Sequence, residues 1–288
     1  MRIDNILKIS EKGFSFEFFP PKTETGKERL KNTINTLRDY KPLYVSMTYG
    51  AQGGAQDKTK EAVSLLLENK EITVMPHLTC INIKEAEAEA LIEGYKTKGI
   101  ENIMALRGDP PQGVYDFDYS DNDLGFAIDL IRLIKRKFNC FCIGCAVYPE
   151  GHIETSSLDE DIEYTKQKIE AGSDFAVTQM FFDNSFFYSL RDRLKKKGIS
   201  IPVLPGILPL TSIAKIKEFA SVTRVTIPKK IEQAISRYEN NPQDALKAGI
   251  DKTILQCRDL IKNGAKRIHF FTLNKPSVIE TVLDGINL

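Results

Sequence analysis

One carboxylate, that of Glu17, stands inside the apolar and aromatic segment GFSFEFFPPK at residues 13–22. Side chains alternate between the two faces of a strand, so the three even-numbered phenylalanines share one face and Glu17 lies on the other. The two prolines that follow cannot extend a central strand, which places Glu17 near the carboxyl end of a short, buried strand. A carboxylate in such a place is either paired with another group or kept for chemistry.

Further polar or functional residues follow the other apolar segments that we predict to be strands. They occur in SMTYGA, PHLTC, ALRGDPP, AVYPEGH, VTQMFFD and HFFTLNK, and the residues of interest are Thr48, Tyr49, Ala51, His77, Thr79, Arg107, Gly108, Asp109, Tyr148, Glu150, His152, Gln179, Asp183, Thr272, Asn274 and Lys275. The set combines cationic and hydroxyl donors with planar side chains, which suits a flat, anionic cofactor with phosphates and equally a sugar phosphate. It contains no cluster of ligands at the spacing of a metal site, so we predict no metal.

Each of these residues, taken singly, also has a structural explanation. Glu17 can be a satisfied buried acid, and His77 can be a core histidine bonded to the backbone. Arg107 and Asp109 can form an ion pair across a turn. Polar groups nevertheless end seven of the eight predicted strands, always on one side, which core packing alone does not explain. The third histidine of the chain, His269, lies inside the last predicted strand.

Eight apolar strands, each followed by a polar loop and an amphipathic helix, organise the chain. The predicted strands are Phe14–Phe19, Leu43–Thr48, Thr73–Leu78, Asn102–Leu106, Cys142–Tyr148, Phe175–Gln179, Val203–Ile207 and Arg267–Thr272. The predicted helices are Lys27–Tyr40, Lys58–Asn69, Lys84–Lys98, Leu124–Phe138, Leu158–Ala171, Ser185–Lys197, Ser212–Ala220 and Pro276–Leu283, with one or two more in Lys229–Asn263. This pattern predicts an α/β fold, a (β/α)₈ TIM barrel with extra helices before the last strand.

A doubly wound sheet is the main rival to the barrel. Two features favour the barrel: no G-x-G-x-x-G follows the first strand, and the residues of interest cluster where strands end. In a barrel those ends form one ring around one site.

Bulk properties exclude several classes of protein. The chain has 288 residues, 42% of them hydrophobic, and we predict one catalytic domain over residues 1–288. A net charge of +1 without a long basic run predicts no nucleic-acid partner. The absence of a long apolar run and of a signal-peptide core predicts a cytoplasmic protein without membrane contact. The odd number of cysteines argues against a disulfide framework, and we predict that those in CFCIGC are small core residues.

Eight motifs carry a resemblance to a known family. SFEFFPPK, VSMTYGA, PHLTC, ALRGDPP, YPEGH, TQMFFD, PGILP and HFFTLNK run in this order from residue 15 to residue 275 and closely resemble those of the methylenetetrahydrofolate reductase family. The resemblance implies a (β/α)₈ barrel that holds FAD and reduces 5,10-methylenetetrahydrofolate to 5-methyltetrahydrofolate. NADH or NADPH would give hydride to FAD and leave, and the folate would then take the hydride in a ping-pong reaction. The regulatory domain of eukaryotic members is expected to be absent.

The resemblance also implies roles for individual residues. Glu17 resembles the general acid that protonates the folate and opens its five-membered ring, and burial among Phe16, Phe18 and Phe19 would keep that acid protonated. Asp109 resembles a second catalytic residue, which tunes the flavin. The implied FAD contacts are Thr48, His77, Arg107, Gly108, Asp109, Ala127, Tyr148, His152, Asp161 and Lys168. The implied contacts to folate or nicotinamide are Thr48, Tyr49, Ala51, Asp109, Gln179, Phe219 and Lys275.

Several positions depart from the family's pattern. The last motif, often YTLNR, is FTLNK here, so Lys275 would meet the glutamate carboxylate of folate as a point charge instead of a bidentate fork. Phe271 lacks the hydroxyl of the usual tyrosine. Thr155, Tyr164 and Gln167 differ from the common residues near the phosphate and adenosine parts of FAD.

Two other functional hypotheses stay open at this point. The chain can be a flavin-bearing barrel subunit that takes electrons from a partner protein. It can also be a barrel lyase or isomerase acting on a phosphorylated small molecule, although PGILPLTS and TLNKPS are poor candidates for a phosphate site. We expect a homo-oligomer, a dimer or a tetramer, from the resemblance.

Overall fold

Parallel strands and helices alternate along the computed structural model, which describes residues 1–49, 55–109, 123–238 and 241–286. The strands are β1 (Gly13–Phe18), β2 (Tyr44–Met47), β3 (Val74–Thr79), β4 (Asn102–Leu106), β5 (Cys142–Val147), β6 (Phe175–Thr178), β7 (Val203–Leu204), β8 (Gly206–Ile207) and β9 (Arg267–Phe271). The helices are α1 (Ile3–Ile9), α2 (Glu24–Arg38), α3 (Ala55–Leu67), α4 (Glu85–Thr97), α5 (Ala127–Lys137), α6 (Leu158–Glu170), α7 (Asn184–Lys196), α8 (Ile213–Ser221), α9 (Lys229–Ser236), α10 (Pro242–Lys262) and α11 (Pro276–Ile286).

The strands form one sheet that curls into a nearly closed barrel. Its order is β7-β6-β5-β4-β3-β2-β1-β9-β8, and every described pair is parallel. The first strand pairs with β2 on one side and with β9 on the other. The predicted (β/α)₈ barrel is therefore confirmed, and the two extra helices before the last strand are α9 and α10.

The seventh barrel strand is interrupted. The sequence predicts one strand over Val203–Ile207, whereas the structure has two short pieces on either side of Pro205. Proline has no backbone N–H to donate to a neighbouring strand. The piece before it pairs with β6, the piece after it pairs with β9, and the Pro205 carbonyl accepts a hydrogen bond from His269 N at 3.0 Å. The two pieces together occupy the seventh strand position of the barrel, between β6 and β9.

The sequence patterns above do not predict α1, which has only seven residues. Its buried residues Ile3, Ile6 and Leu7 follow the i, i+3, i+4 spacing of a helix. Ile3 and Leu7 pack with interior residues such as Tyr44 and Phe175 at the amino-terminal end of the barrel. The helix thus fills the end of the barrel opposite to the carboxyl ends of the strands.

Shortening Leu7 is expected to test this packing. Leu7 is 1% exposed, so Leu7→Ala removes buried methyl groups and leaves a cavity, which should lower the free energy of unfolding by about 2–5 kcal/mol in urea titrations. Ile9 on the same helix is 77% exposed, and Ile9→Ala should change stability by less than about 0.5 kcal/mol. Equal effects of the two substitutions would contradict the assignment of α1 as a buried cap.

The three cysteines of CFCIGC occupy three different environments. Cys142 is buried inside the barrel and Cys145 is buried on the face that packs against the helices. Cys140 precedes β5 and is exposed, so the prediction of a core residue is wrong at this position. Within the four described ranges, no group of His, Cys, Asp or Glu residues is arranged to hold a metal ion.

None of the helices in the described part of the chain combines the length and the apolar character needed to cross a bilayer.

Candidate active site

A cavity of about 450 Å³ opens at the carboxyl ends of the strands. Its lining draws on elements from β1 to β9. The predicted site residues that line it are Glu17, Thr48, Tyr49, His77, Arg107, Gly108, Asp109, Tyr148, His152, Gln179 and Phe219. The structure therefore brings together side chains that are up to 202 positions apart in the sequence, and we call this space the central cavity.

A second cavity of about 330 Å³ adjoins the first. Arg107, Tyr148 and His152 line both of them. The remaining predicted residues Ala127, at the start of α5, and Asp161 and Lys168, on α6, line the second space. We call this space the side cavity, and together the two cavities form a cleft that runs from the barrel mouth to the outer helices.

Two of the residues with an implied ligand contact fall outside this arrangement, and of the other strand-end residues of interest neither cavity is lined by Glu150, Asp183, Thr272 or Asn274. Lys275 follows β9 and lines neither cavity, and burial together with the nearby charge of Lys215 lowers the pKa of its ammonium group. Ala51 lies outside the described residues.

The carboxyl end of β1 is held by the TLN segment that follows β9. The Thr272 hydroxyl donates to the Glu17 carbonyl at 2.6 Å. The Asn274 side chain donates to the Phe19 carbonyl at 2.9 Å and accepts from the Phe19 N–H at 3.1 Å. Leu273 and Asn274 both have positive φ angles, 49° and 52°, which side-chain-bearing residues seldom adopt. This strained turn holds the backbone of Glu17 and Phe19 at the end of β1.

The Glu17 side chain is buried inside the barrel between two histidines. Its Oε2 atom lies 3.5 Å from Nε2 of His77 and 3.5 Å from Nε2 of His269. The contact with His269 has the geometry of a hydrogen bond, whereas Nε2 of His77 is not directed to form one. Burial lowers the pKa of His77, and the charge of Glu17 opposes this effect.

The aromatic residues around Glu17 in the sequence do not surround its carboxylate. Phe16 and Phe18 point away from the barrel interior and pack against side chains of α2 such as Leu30 and Ile34. Only Phe19 of the three phenylalanines lines the central cavity. The predicted burial of the Glu17 carboxylate among Phe16 and Phe18 is therefore wrong, because neighbouring residues of a strand face opposite sides.

A pH titration of stability should report the buried state of His77. A histidine with a lowered pKa stays neutral in the folded protein at a pH where the unfolded chain is protonated. Its stabilising contribution is present above about pH 6.5, the ordinary histidine value, and is lost as the pH falls through the lowered pKa. We expect the free energy of unfolding to fall more steeply between about pH 7 and about pH 5 in the wild type than in His77→Gln. Parallel curves for the two proteins would contradict this, and the comparison cancels the titration of other groups.

Arg107 pairs with Glu154. Its two terminal nitrogens contact the two carboxylate oxygens of Glu154, the longer contact being 2.8 Å. The alternative of a simple ion pair between Arg107 and Asp109 is not what the structure shows. Asp109 is exposed at the rim of the central cavity.

Gly108, between these two residues, has a φ angle of +90°. A Cβ atom there would lie 2.6 Å from the Ile81 side chain and 2.9 Å from Thr79 Cβ. Both the backbone conformation and the lack of space require glycine at this point of the cavity wall.

Asp161 carries a buried oxygen that has no partner in the described part of the chain. Its Oδ1 accepts from the His152 N–H at 3.1 Å, while Oδ2 is unpaired. Burial raises the pKa of this carboxyl group, and the nearby Lys168 opposes the shift. Lys168 donates to the Ala146 carbonyl at 2.6 Å, and its nitrogen lies 5.7 Å from the centre of the Tyr148 ring. The side cavity thus has an unused acceptor next to a cation.

Sequence reasoning missed Ser15 and His269. The Ser15 hydroxyl lies 2.8 Å from Nδ1 of His269, whose Nε2 contacts Glu17. A predicted barrel implies that the first and last strands are neighbours, which could have indicated this contact. The register that pairs Ser15 with His269, however, cannot be read from either strand alone. Apolar lining residues were also missed because their types do not distinguish a cavity wall from a core: Met104, Leu106, Ala146, Val177, Leu208 and Leu273.

Comparison with known proteins decides the family. The family model described as methylenetetrahydrofolate reductase matches residues 2–287. The chain belongs to the methylenetetrahydrofolate reductase family. The resemblance drawn from the eight motifs is therefore confirmed.

Relatives in the methylenetetrahydrofolate reductase family differ in length. The 5,10-methylenetetrahydrofolate reductase of Escherichia coli is 36% identical over 261 residues, which cover 91% of this chain and 86% of that protein. Methylenetetrahydrofolate reductase 1 of Schizosaccharomyces pombe is 35% identical over 96% of this chain and 46% of its own length. The chain thus spans about half of this fungal family member and most of the bacterial one.

A solved structure has a fold similar to that of this chain. An uncharacterized protein from Clostridium thermocellum, described as binding two copies of 5-methyl-5,6,7,8-tetrahydrofolic acid, matches with a TM-score of 0.67. The match covers 99% of this chain and 98% of that chain at 14% identity. At this identity the likeness concerns the barrel alone.

Proposed function

We propose that this chain reduces 5,10-methylenetetrahydrofolate to 5-methyltetrahydrofolate, with bound FAD and with NADH or NADPH as the electron source. The position of Glu17 supports this proposal most strongly. Its buried carboxylate lines the cavity at the carboxyl ends of the strands, where barrel enzymes bind their substrates. The names of relatives such as the Escherichia coli 5,10-methylenetetrahydrofolate reductase support this choice of substrate, and a buried acid in the cavity supports this choice of reaction.

The residues of the two cavities fit FAD. The unpaired Oδ2 of Asp161 can accept a hydrogen bond from a ribose hydroxyl, and Lys168 can face a phosphate. Gly108 lines the central cavity beside Arg107, and because no Cβ atom fits against Ile81 and Thr79 there, only glycine keeps the wall in this position beside a flat ring. Tyr148 and His152, whose rings meet edge to face at 4.8 Å, separate the two spaces and would contact the cofactor between its ends. FAD, when bound, carries hydride from the nicotinamide to the folate.

Glu17 supplies the proton of the reaction. The overall change adds one hydride and one proton to the substrate, and the proton opens the five-membered ring before hydride arrives. Proton transfer from a positioned carboxylic acid requires an oxygen atom that faces the substrate. Glu17 is buried yet lines the central cavity, which supports this role.

Other residues of the central cavity orient the flat parts of the ligands. Gln179 directly follows β6 and Phe219 lies on α8. Both line the central cavity and would contact the folate or the nicotinamide. Asp109 at the rim would contact the folate. Lys275, outside the cavity, would meet the glutamate carboxylate of the folate as a single cation.

Flavin reoxidation tests the proposal. The purified protein is examined for a flavin spectrum, reduced without air by NADH or NADPH, and mixed with 5,10-methylenetetrahydrofolate while the flavin band near ~450 nm is followed. Return of the band, with formation of 5-methyltetrahydrofolate, is the expected result. A reduced flavin that the folate never reoxidises would show that the acceptor is wrong.

Two further results would favour the other hypotheses. If neither nicotinamide reduces the flavin but dithionite does, and the folate then reoxidises it, the electron donor is a partner protein. If the protein binds no flavin, the lyase or isomerase hypothesis gains support.

A further inference from the structure

The loop between β5 and α6, residues 148–157, forms a wall shared by the two cavities. Tyr148 and His152 line both of them, and Glu154 and Thr155 line the side cavity. The carboxylate of Glu154 contacts both terminal nitrogens of Arg107, which directly follows β4 and also lines both cavities. The position of this loop therefore sets the position of the Arg107 guanidinium in the cleft.

Arg224, in the segment between α8 and α9, contacts this loop from outside the cleft. Its Nη2 atom donates to the Ile153 carbonyl at 3.1 Å and to the Thr155 carbonyl at 2.9 Å. These two carbonyls flank Glu154, so one nitrogen holds the backbone on both sides of that residue. The guanidinium also lies against Gly151, where an added Cβ atom would be 3.5 Å from Nη1. Arg224 itself lines neither cavity.

We propose that Arg224 positions the β5–α6 loop for cofactor binding: it fixes the backbone of Glu154, and Glu154 in turn holds the Arg107 guanidinium in the cleft. The inference rests on the proposed function and deepens it, because it adds a residue outside the cleft on which the affinity for FAD depends. Arg224 touches no ligand in this scheme, so it is a positioning residue.

The same segment is bonded to the loop at a second point. The Thr226 N–H donates to the Glu150 carboxylate at 3.0 Å. Glu150 precedes Gly151, whose φ angle of +83° turns the chain between the two contacts. Arg224 reaches the part of the loop beyond this turn, which is the part that lines the cleft with three side chains. Loss of the Arg224 contacts should therefore loosen residues 152–155 while the start of the loop stays attached.

Two substitutions of Arg224 separate the hydrogen bonds from the bulk of the side chain. Arg224→Met keeps an unbranched apolar stem and removes every donor. Arg224→Lys keeps one cationic nitrogen, which can serve both carbonyls because Nη2 alone does so in the wild type. Arg224 is exposed, so both variants should fold. Arg237→Met is the control, because Arg237 is an exposed residue at the end of α9 whose side chain forms no hydrogen bond or ion pair within the described ranges.

Hydrogen exchange in the flavin-free protein reads the order of the loop directly. Three backbone N–H groups beyond the turn are bonded, to Oδ1 of Asp161, to Nδ1 of His152 and to the His152 carbonyl, and they belong to His152, Glu154 and Thr155. Such amides exchange with solvent when the loop opens locally. We expect their exchange to be at least ~5-fold faster in Arg224→Met, and to stay close to the wild-type rate in Arg224→Lys and Arg237→Met.

Titration of the same proteins with FAD, followed by flavin fluorescence, gives the second readout. The apparent Kd rises in proportion as the fraction of molecules with a correctly placed loop falls. Arg224→Met should therefore raise the Kd for FAD at least ~5-fold, Arg224→Lys should restore most of the affinity, and Arg237→Met should match the wild type.

The two readouts together decide the inference. Faster exchange with unchanged affinity would show that the loop position does not matter for FAD, and weaker binding without faster exchange would show that Arg224 acts through its charge alone. Either result, or an Arg224→Lys variant no better than Arg224→Met in both measurements, would overturn the inference. A wild-type protein that binds no FAD would instead overturn the proposed function, while the exchange rates, which need no cofactor, still test whether Arg224 holds the loop.

Discussion

Glu17→Gln is expected to slow flavin reoxidation by 5,10-methylenetetrahydrofolate by about 10²–10⁴-fold, the usual contribution of a positioned general acid. Glutamine keeps the size of the side chain and can still accept from Nε2 of His269, but it has no acidic proton to give. Reduction of the flavin by the nicotinamide involves no proton from this residue and should stay close to the wild-type rate. Stopped-flow measurements of the two half-reactions on the same preparation would separate these effects.

A second carboxylate provides the control for this prediction. Glu150 follows β5, is half-buried, and accepts from the Thr226 N–H at 3.0 Å, and it lines neither cavity. A Glu150→Gln side chain can keep that hydrogen bond, so both half-reactions should be unchanged. Glu17→Gln with undiminished reoxidation would remove the general acid from the proposed function, even if the reaction itself is observed.

Gly108→Ala is expected to weaken flavin binding and to destabilise the fold. The added Cβ would lie 2.6 Å from Ile81 Cγ2, and the alanine would have to adopt a φ angle of +90°. Either the side chains of Thr79 and Ile81 or the cavity wall beside Arg107 must therefore shift. A strained residue of this kind lowers the free energy of unfolding by about 1–3 kcal/mol. Thermal unfolding and titration of the flavin-free protein with FAD measure the two effects separately.

Gly198 allows strain and steric overlap to be told apart. It has a φ of +75° after α7, and a Cβ atom there would meet no other atom within 4 Å. Gly198→Ala should therefore destabilise the protein by about 1 kcal/mol, the effect of the backbone conformation alone, without changing the affinity for FAD. Equal affinities of Gly108→Ala and Gly198→Ala for FAD would contradict the prediction, because they would show that the cavity wall at Gly108 does not contact the cofactor.

Most of the barrel could be predicted because each strand is a short apolar run that ends in polar residues. This pattern places Glu17, His77, Arg107 and Tyr148 on one ring before any coordinates are known. The sequence also indicates the TLN segment, but not its contacts. The turn after β9 forms hydrogen bonds with the backbone at the end of β1, which is far away in the sequence.

Other features depend on contacts that no local pattern encodes. The pairing of Arg107 with Glu154 depends on how the loop after β5 folds back over the cavity. The register of β1 against β9 places Ser15 opposite His269, and a shift of one residue would turn His269 away from Glu17. The helix α1 is too short for its three apolar residues to stand out.

The pairing of the first strand with the last has a consequence for synthesis on the ribosome. Ser15 and His269 are 254 positions apart, so at ~5–20 residues per second β1 waits for roughly 10–50 s before β9 is made. During this time one edge of β1 has no strand beside it, and such an edge can pair with other chains. The residues of the side cavity lie between 105 and 168 and are made well before that. A nascent chain can therefore complete the walls of its side cavity while Glu17, the proposed proton donor, still lacks the neighbouring strand β9.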